Sequence, residues 1–196
     1  MAEQTVTTPV GPSVRQRIVD AAYQLFTQRG IRDVGVDEII TASGVARATF
    51  YRQFRSKDDL VLEFLEQREQ RWTFGAIESG AIERGSTAEE RLIAIFGVFD
   101  DWFHRTDFEA CSFINVLLEM GPHHPLGRAS IEYLRNIRTM VEGLAEAADI
   151  DDPIEFAKSW HILMKGSIIS AAEGDIEAAR RAQQMGRVLI ATHRRS

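Results

Sequence analysis

Apolar residues recur at the roughly 3.6-residue spacing of a helix along almost the whole chain, and no segment alternates as a half-buried strand would. That pattern confines the chain to helix-on-helix packing. Val14, Ile18, Ala22, Leu25 and Phe26 form a first stripe, stopped by Gly30. Val36, Ile39 and Ile40 mark a short second helix ended by Ser43-Gly44, and a third runs from about Ala46 to Phe54. Ser56 and Asp59 have capping-box spacing and open a long helix through Leu60, Phe64 and Leu65. A loop is expected near Gly80–Gly85. Thr87 with Glu90 then caps a helix carrying Leu92, Ile95, Phe96, Phe99 and Phe103. A shorter helix holds Phe113, Val116, Leu117 and Met120, and "GPHHP" breaks it. Ile131, Leu134, Ile137, Val141 and Leu144 belong to the next helix, from about Leu126 to Ala148. Asp152-Pro153-Ile154-Glu155 starts another, closed by Gly174, and Asp175 is expected to cap a last helix reaching about Thr192. The expected fold is all-α with nine helices, three short ones in front and longer ones behind.

A length of 196 residues allows one or two domains with a real core. Hydrophobic residues at 44% and charged residues at 27% are ordinary for a soluble globular protein. No apolar run approaches the roughly 18 residues of a membrane span. The start, with Pro9, Gly11 and Pro12, reads as a flexible tail over 1–12 and not as a signal peptide. A lone Cys111 excludes an internal disulfide framework and fits a reducing compartment, so a cytoplasmic location is expected. The net charge of −6 is unevenly spread. Residues 1–57 carry eight Arg and Lys against five acids, whereas residues 58–196 carry 15 against 24. A basic head on an acidic body suits a protein that touches a polyanion with one end, although charge alone is equally compatible with chance.

The positive charge concentrates in "ITASGVARATFYRQFRSKDDL", where Arg47, Arg52, Arg55 and Lys57 stand among Phe50, Tyr51 and Phe54. A short helix, a tight turn containing Gly and a second short helix make a helix-turn-helix pattern. On a helical wheel Phe50 and Phe54 share one side and can seat the third helix on the first two. Ala48 and Arg52 lie roughly opposite, with Arg47, Tyr51 and Arg55 on one flank and Thr49 on the other. A residue as small as Ala48 lets the helix lie close to a groove floor. Thr49 and Tyr51 offer hydroxyls, and Lys57 sits at a helix start, where backbone N–H groups favour phosphate. The cluster suits a DNA groove.

The run "GVARATFYRQFRSKDDL" closely resembles the TetR/AcrR family of bacterial transcriptional regulators, through Gly44, Val45, Thr49, Phe50, Tyr51, Phe54, Ser56, Lys57 and Leu60. Upstream, "RIVDAAYQLFTQRGIRDVGVDEIITASG" resembles the family's first two helices. The resemblance implies a helix-turn-helix DNA-binding domain over 13–61 and a helical ligand-binding and dimerisation domain over 62–196. It also implies Arg47, Ala48 and Arg52 on base edges, with Thr49, Tyr51 and Lys57 on phosphates. Either arginine can pair with a guanine or merely neutralise phosphate. Two positions depart from the family: Gly35 before the second helix and Ala46 at the third stand where Ser or Thr is usual. Phosphate contacts are therefore not carried over to them.

In the body, Phe96, Phe99, Trp102, Phe103, Phe113, Met120, Met140, Trp160 and Met164 supply more large apolar side chains than a tight core requires. Asn115, Cys111, His123 and His161 lie among them and can orient a small, mostly apolar molecule, unless all of these simply form core. Ala178, Ala182 and Gly186 recur every four residues on the last helix, and Ala157, Gly166 and Ser170 dot the one before. Small residues let helices approach closely, so a homodimer through about residues 153–192 is expected, unless the alanines serve helix propensity alone.

Cys111 lacks the context of a catalytic nucleophile, and the adjacent His123 and His124 would diverge by about 100° on a helix. No catalytic residue, metal or cofactor is expected. The expected function is a DNA-binding repressor released from a palindromic operator by a small-molecule effector. The competing expectation, kept open by Gly35 and Ala46, is an interaction adaptor of the same fold without specific DNA binding.

Overall fold

The computed structural model describes residues 12–194. The tail expected over 1–12 lies, apart from Pro12, outside the described residues. The helices are α1 (Val14–Arg29), α2 (Val36–Ser43), α3 (Arg47–Gln53), α4 (Lys57–Arg68), α5 (Ser79–Arg84), α6 (Ala88–Phe103), α7 (Ser112–Met120), α8 (Pro125–Ala147), α9 (Pro153–Ala172) and α10 (Ala178–Thr192). A π-helical stretch, Glu69–Glu78, joins α4 to α5 without a break. With that run counted once, nine helices and no strand occur among the described residues, matching the all-α, nine-helix expectation. None is long and apolar enough to cross a membrane. The chain divides into two compact units between Leu60 and Val61, within α4.

In the first unit, Ile18, Val19, Ala22 and Phe26 of α1 bury with Ile31, Val34 and Ile39. Ser13 caps α1 by accepting from Gln16 N–H. At the end of α2, Gly44 adopts φ +63°, with its N–H bonding Thr41 O at 3.2 Å and Val45 N–H bonding Ile40 O at 3.4 Å. These paired bonds close a helix on a left-handed residue, and they turn the chain sharply into α3. An added Cβ on Gly44 would meet nothing within 4 Å, so only the dihedral resists substitution. Gly44→Ala is therefore expected to destabilise the chain by about 1–2 kcal/mol in urea unfolding. An unchanged midpoint would remove the turn from the determinants of this fold.

In the second unit, α6 is apolar on nearly every side, with Leu92, Ile95, Phe96, Val98, Phe99 and Phe103 all buried. Helices α5, α8, α9 and α10 pack around it. The expected capping box of Thr87 and Glu90 is present, and Asp152 accepts from Glu155 N–H at the start of α9. Three expectations are corrected. The loop near Gly80–Gly85 is shorter, because the helix continues to Arg84 and Gly85 ends it. Gly80 stays helical for lack of a side chain: a Cβ there would lie 2.7 Å from Val98 Cγ2. Asp175 is not the cap of α10, which begins at Ala178; its carboxylate accepts from Glu177 N–H in the turn before.

The third correction concerns the small-residue stripe. Ala178, Ala182 and Gly186 are buried within the chain itself, and a Cβ on Gly186 would lie 2.8 Å from Trp160 Cη2 and 3.2 Å from Phe96 Cε2. Their size lets α10 close onto α6 and α9 of the same molecule. Ala157 is buried likewise. The outward surface of α9 and α10 carries large apolar residues instead: Ile162, Met185 and Val188 are 65%, 57% and 63% exposed. Gly166 is exposed beside them, with open space where a Cβ would stand.

Candidate nucleic-acid interface

Helix α3 is held by one side. Phe50 is fully buried and Phe54 nearly so, with ring centroids 6.0 Å apart. The Arg15 guanidinium lies 4.2 Å over the Phe54 ring and donates to Gln53 O at 2.9 Å, tying the end of α3 to α1. Beneath the turn, buried Ser43 Oγ donates to Ile39 O at 2.7 Å. Past α3, Ser56 Oγ accepts from Asp59 N–H, and the Asp59 carboxylate accepts from Arg55 N–H, both at 3.1 Å. The Asp in place of Glu thus reaches one residue further back than in the usual capping box.

The other side of α3 is open. Arg47, Ala48, Tyr51 and Arg52 are exposed, Thr49 is half-buried, and Lys57 is half-buried at the first turn of α4. Arg47 pairs with Asp37, and Arg29 pairs with Glu38, so both acids in the first turn of α2 have a basic partner. Arg47 and Asp37 remain 60% and 74% exposed in their side chains, which makes theirs a surface pair. Such pairs contribute about 0–1 kcal/mol, little against the pull of a phosphate or a guanine edge. The Arg52 and Arg55 side chains make no hydrogen bond or ion pair among the described residues. Gly35 and Ala46 are the N-caps of α2 and α3, both extended and both without a side-chain cap. The basic surface owes its accessibility to the deep placement of the two phenylalanines.

The residues expected to receive an effector fall in several places. A small cavity of about 10 Å³ in the second unit gathers Phe99, Cys111, His161 and Met164, together with Trp72, Ile114, Leu134, Ile137 and Lys165. Phe96 and Trp160 pack against each other at 5.2 Å and belong to the seat of α10. Trp102 and Phe103 cluster with Phe108 at 4.9 and 5.2 Å. Phe113 stacks on Tyr133 at 5.1 Å. Asn115 and Met120 are half-buried on α7, and His123 is exposed.

Burial, reinforced by the positive charges of Lys165 and Arg138, holds His161 down to about 3, so its imidazole is neutral at ordinary pH. Burial also pushes the Cys111 thiol up, against reactivity. No three His, Cys, Asp or Glu residues stand together as metal ligands among the described residues. Sequence reasoning missed Trp72 and Lys165. Trp72 lies in the π-helical stretch, whose wider winding breaks the 3.6-residue register used to find core faces. Lys165 reads as a solvated charge until α9 is seen against the cavity.

Residues 18–64 match the family model described as bacterial regulatory proteins, tetR family. An uncharacterised HTH-type transcriptional regulator of Mycobacterium tuberculosis is 44% identical over 55 residues, 28% of this chain and 27% of that relative. The regulator BetI of Brucella canis is 34% identical over 87 residues, 44% of this chain and 43% of its own length. The matched segments thus span less than half of these relatives. A TetR-family transcriptional regulator from Streptomyces coelicolor superposes with a TM-score of 0.84 at 25% identity, covering 93% of this chain and 96% of the other.

Proposed function

We propose that this TetR-family chain is a homodimeric, sequence-specific DNA-binding repressor, released from a palindromic operator by a small-molecule effector, and that it works in the cytoplasm as a regulator and not as an enzyme. The observation that carries the reading is α3, whose aromatic side is buried while Arg47, Ala48, Tyr51 and Arg52 are exposed. Ala48 lets the helix approach the major-groove floor. Arg52, with no internal partner among the described residues, reads a base edge, and Arg47 exchanges Asp37 for DNA. Thr49, Tyr51 and Lys57 serve the phosphates.

A palindromic operator demands two such helices, about 34–36 Å apart. The second copy covers the apolar surface of α9 and α10 around Ile162, Gly166, Met185 and Val188. Exposed glycine inside a helix is unfavourable unless another backbone must come close, and Gly166 has that space. An effector bound by the second unit shifts the pair toward a state unable to span both half-sites. A hundredfold preference for that state provides about 2.7 kcal/mol of coupling.

The test is fluorescence anisotropy on an operator selected from random duplexes. Affinity is expected to fall steeply with salt, since neutralised phosphates release counterions. Arg52→Ala should lose about 1–3 kcal/mol per half-site on the operator and far less on random duplex. Equal loss on both would strip Arg52 of its reading role, and a flat salt dependence would turn the chain into an adaptor.

A further inference from the structure

The small cavity of the second unit has an apolar wall interrupted by two polar groups, His161 and Lys165. They stand four residues apart on α9, hence on one face. His161 is only 2% exposed, and its Nδ1 has no hydrogen-bond partner. Lys165 is half-buried, and its ammonium makes no hydrogen bond or ion pair among the described residues. The charges acting on His161 are those of Lys165 and Arg138, and those acting on Cys111 are Arg68 and Lys165; all are positive. A wall whose one charged group is the Lys165 ammonium, beside an unused imidazole nitrogen, is complementary to an anion, while Trp72, Phe99 and Met164 are complementary to a hydrocarbon.

We infer that this cavity receives an apolar molecule bearing one carboxylate, which pairs with the Lys165 ammonium and accepts an N–H from His161 while its ring or chain lies against Trp72, Phe99 and Met164. The inference rests on reading the second unit as the effector-binding part and names the class of effector. A neutral amide would leave the ammonium uncompensated, and an amine would add like charge.

Space comes from Trp72. As it stands, the cavity of about 10 Å³ holds no more than a water. Trp72 lines it and also lines a surface groove of about 250 Å³ with Gly75 and Gly80. Binding of such a molecule requires this side chain, packed 4.1 Å from Trp102, to be displaced so that the two join. It belongs to the π-helical stretch, and an indole that moves on binding reports through its own fluorescence.

Phenylacetate, phenylacetamide and phenethylamine share size and ring and differ in charge. Titrated against the full chain, phenylacetate is expected to change tryptophan emission, with the change lost in Trp72→Phe. It should bind at least tenfold more tightly than the amide or the amine. Lys165→Gln should weaken it about tenfold or more, and Lys165→Arg should restore most of the affinity. An unchanged affinity in Lys165→Gln, equal binding of the amide, or no response to phenylacetate up to millimolar concentration would each overturn the carboxylate assignment. Operator release is measured separately. Phenylacetate bound at Lys165 without any change in operator affinity leaves the site standing and overturns its role as effector site.

Discussion

Phe50→Ala is expected to cost about 3–5 kcal/mol and to remove the proposed operator binding together with the fold of the first unit. The ring is fully buried, 5.3 Å from Tyr51 edge-on and 6.0 Å from Phe54. Helix α3 has seven residues, too few to persist without packing, so what holds it is burial and not propensity. A unit ending near residue 60 has little stability to spare, since a domain of about this size buries only about 60% of its surface. Truncating the ring leaves a cavity that α1 and α2 cannot close. Urea unfolding followed by circular dichroism gives the stability, and anisotropy gives the binding. Phe50→Leu, which retains most of the volume, should keep both within about 1.5 kcal/mol of the parent. If Phe50→Ala melts and binds as the parent does, α3 is not seated by its aromatic side, and its outward face loses its physical basis.

The second large effect is expected from Ile162→Asp, which should convert the proposed dimer into a monomer at micromolar concentration in sedimentation. In a twofold interface each substitution is present twice, so two carboxylates would be buried without partners. Two such charges at several kcal/mol each carry a nanomolar interface past micromolar, since a thousandfold loss is about 4 kcal/mol. Ile162 is on the outer surface, so the folded chain itself should tolerate the change. Gly186→Leu makes the contrast. Its side chain would collide with Trp160 and Phe96 of the same molecule, lowering stability by about 1–3 kcal/mol or more without acting on assembly directly. A dimer that survives Ile162→Asp but dissociates in a still-folded Gly186→Leu would return the interface to the small-residue stripe.

Much of this protein could be read from its residues because its signals are local. Helix starts at Thr87 and Asp152 follow from side chains that reach N–H groups three positions away. Gly44 ends α2 because a left-handed residue is needed there, and the spacing of Phe50 and Phe54 places both on one side of α3. Where the reading slipped, the deciding contact was distant in sequence. Gly80 reads as a loop residue but lies in α5, where its missing Cβ leaves room for Val98 of α6. Trp72 was passed over because the π-helical stretch abandons the period that identifies a buried face.

By itself, then, the chain's order of residues determined the all-helical class, the ends of its helices and which residues share the cationic side of α3, all set by spacings of a few residues. Which way α10 turns its small residues, which side of α9 remains apolar and open, and which polar groups meet in the cavity were decided only by tertiary packing. The physical reason is that a small residue permits close approach on any face but does not specify the neighbour. Trp160 and Phe96 of the same molecule supply that neighbour, and their bulk sends Ile162, Met185 and Val188 outward.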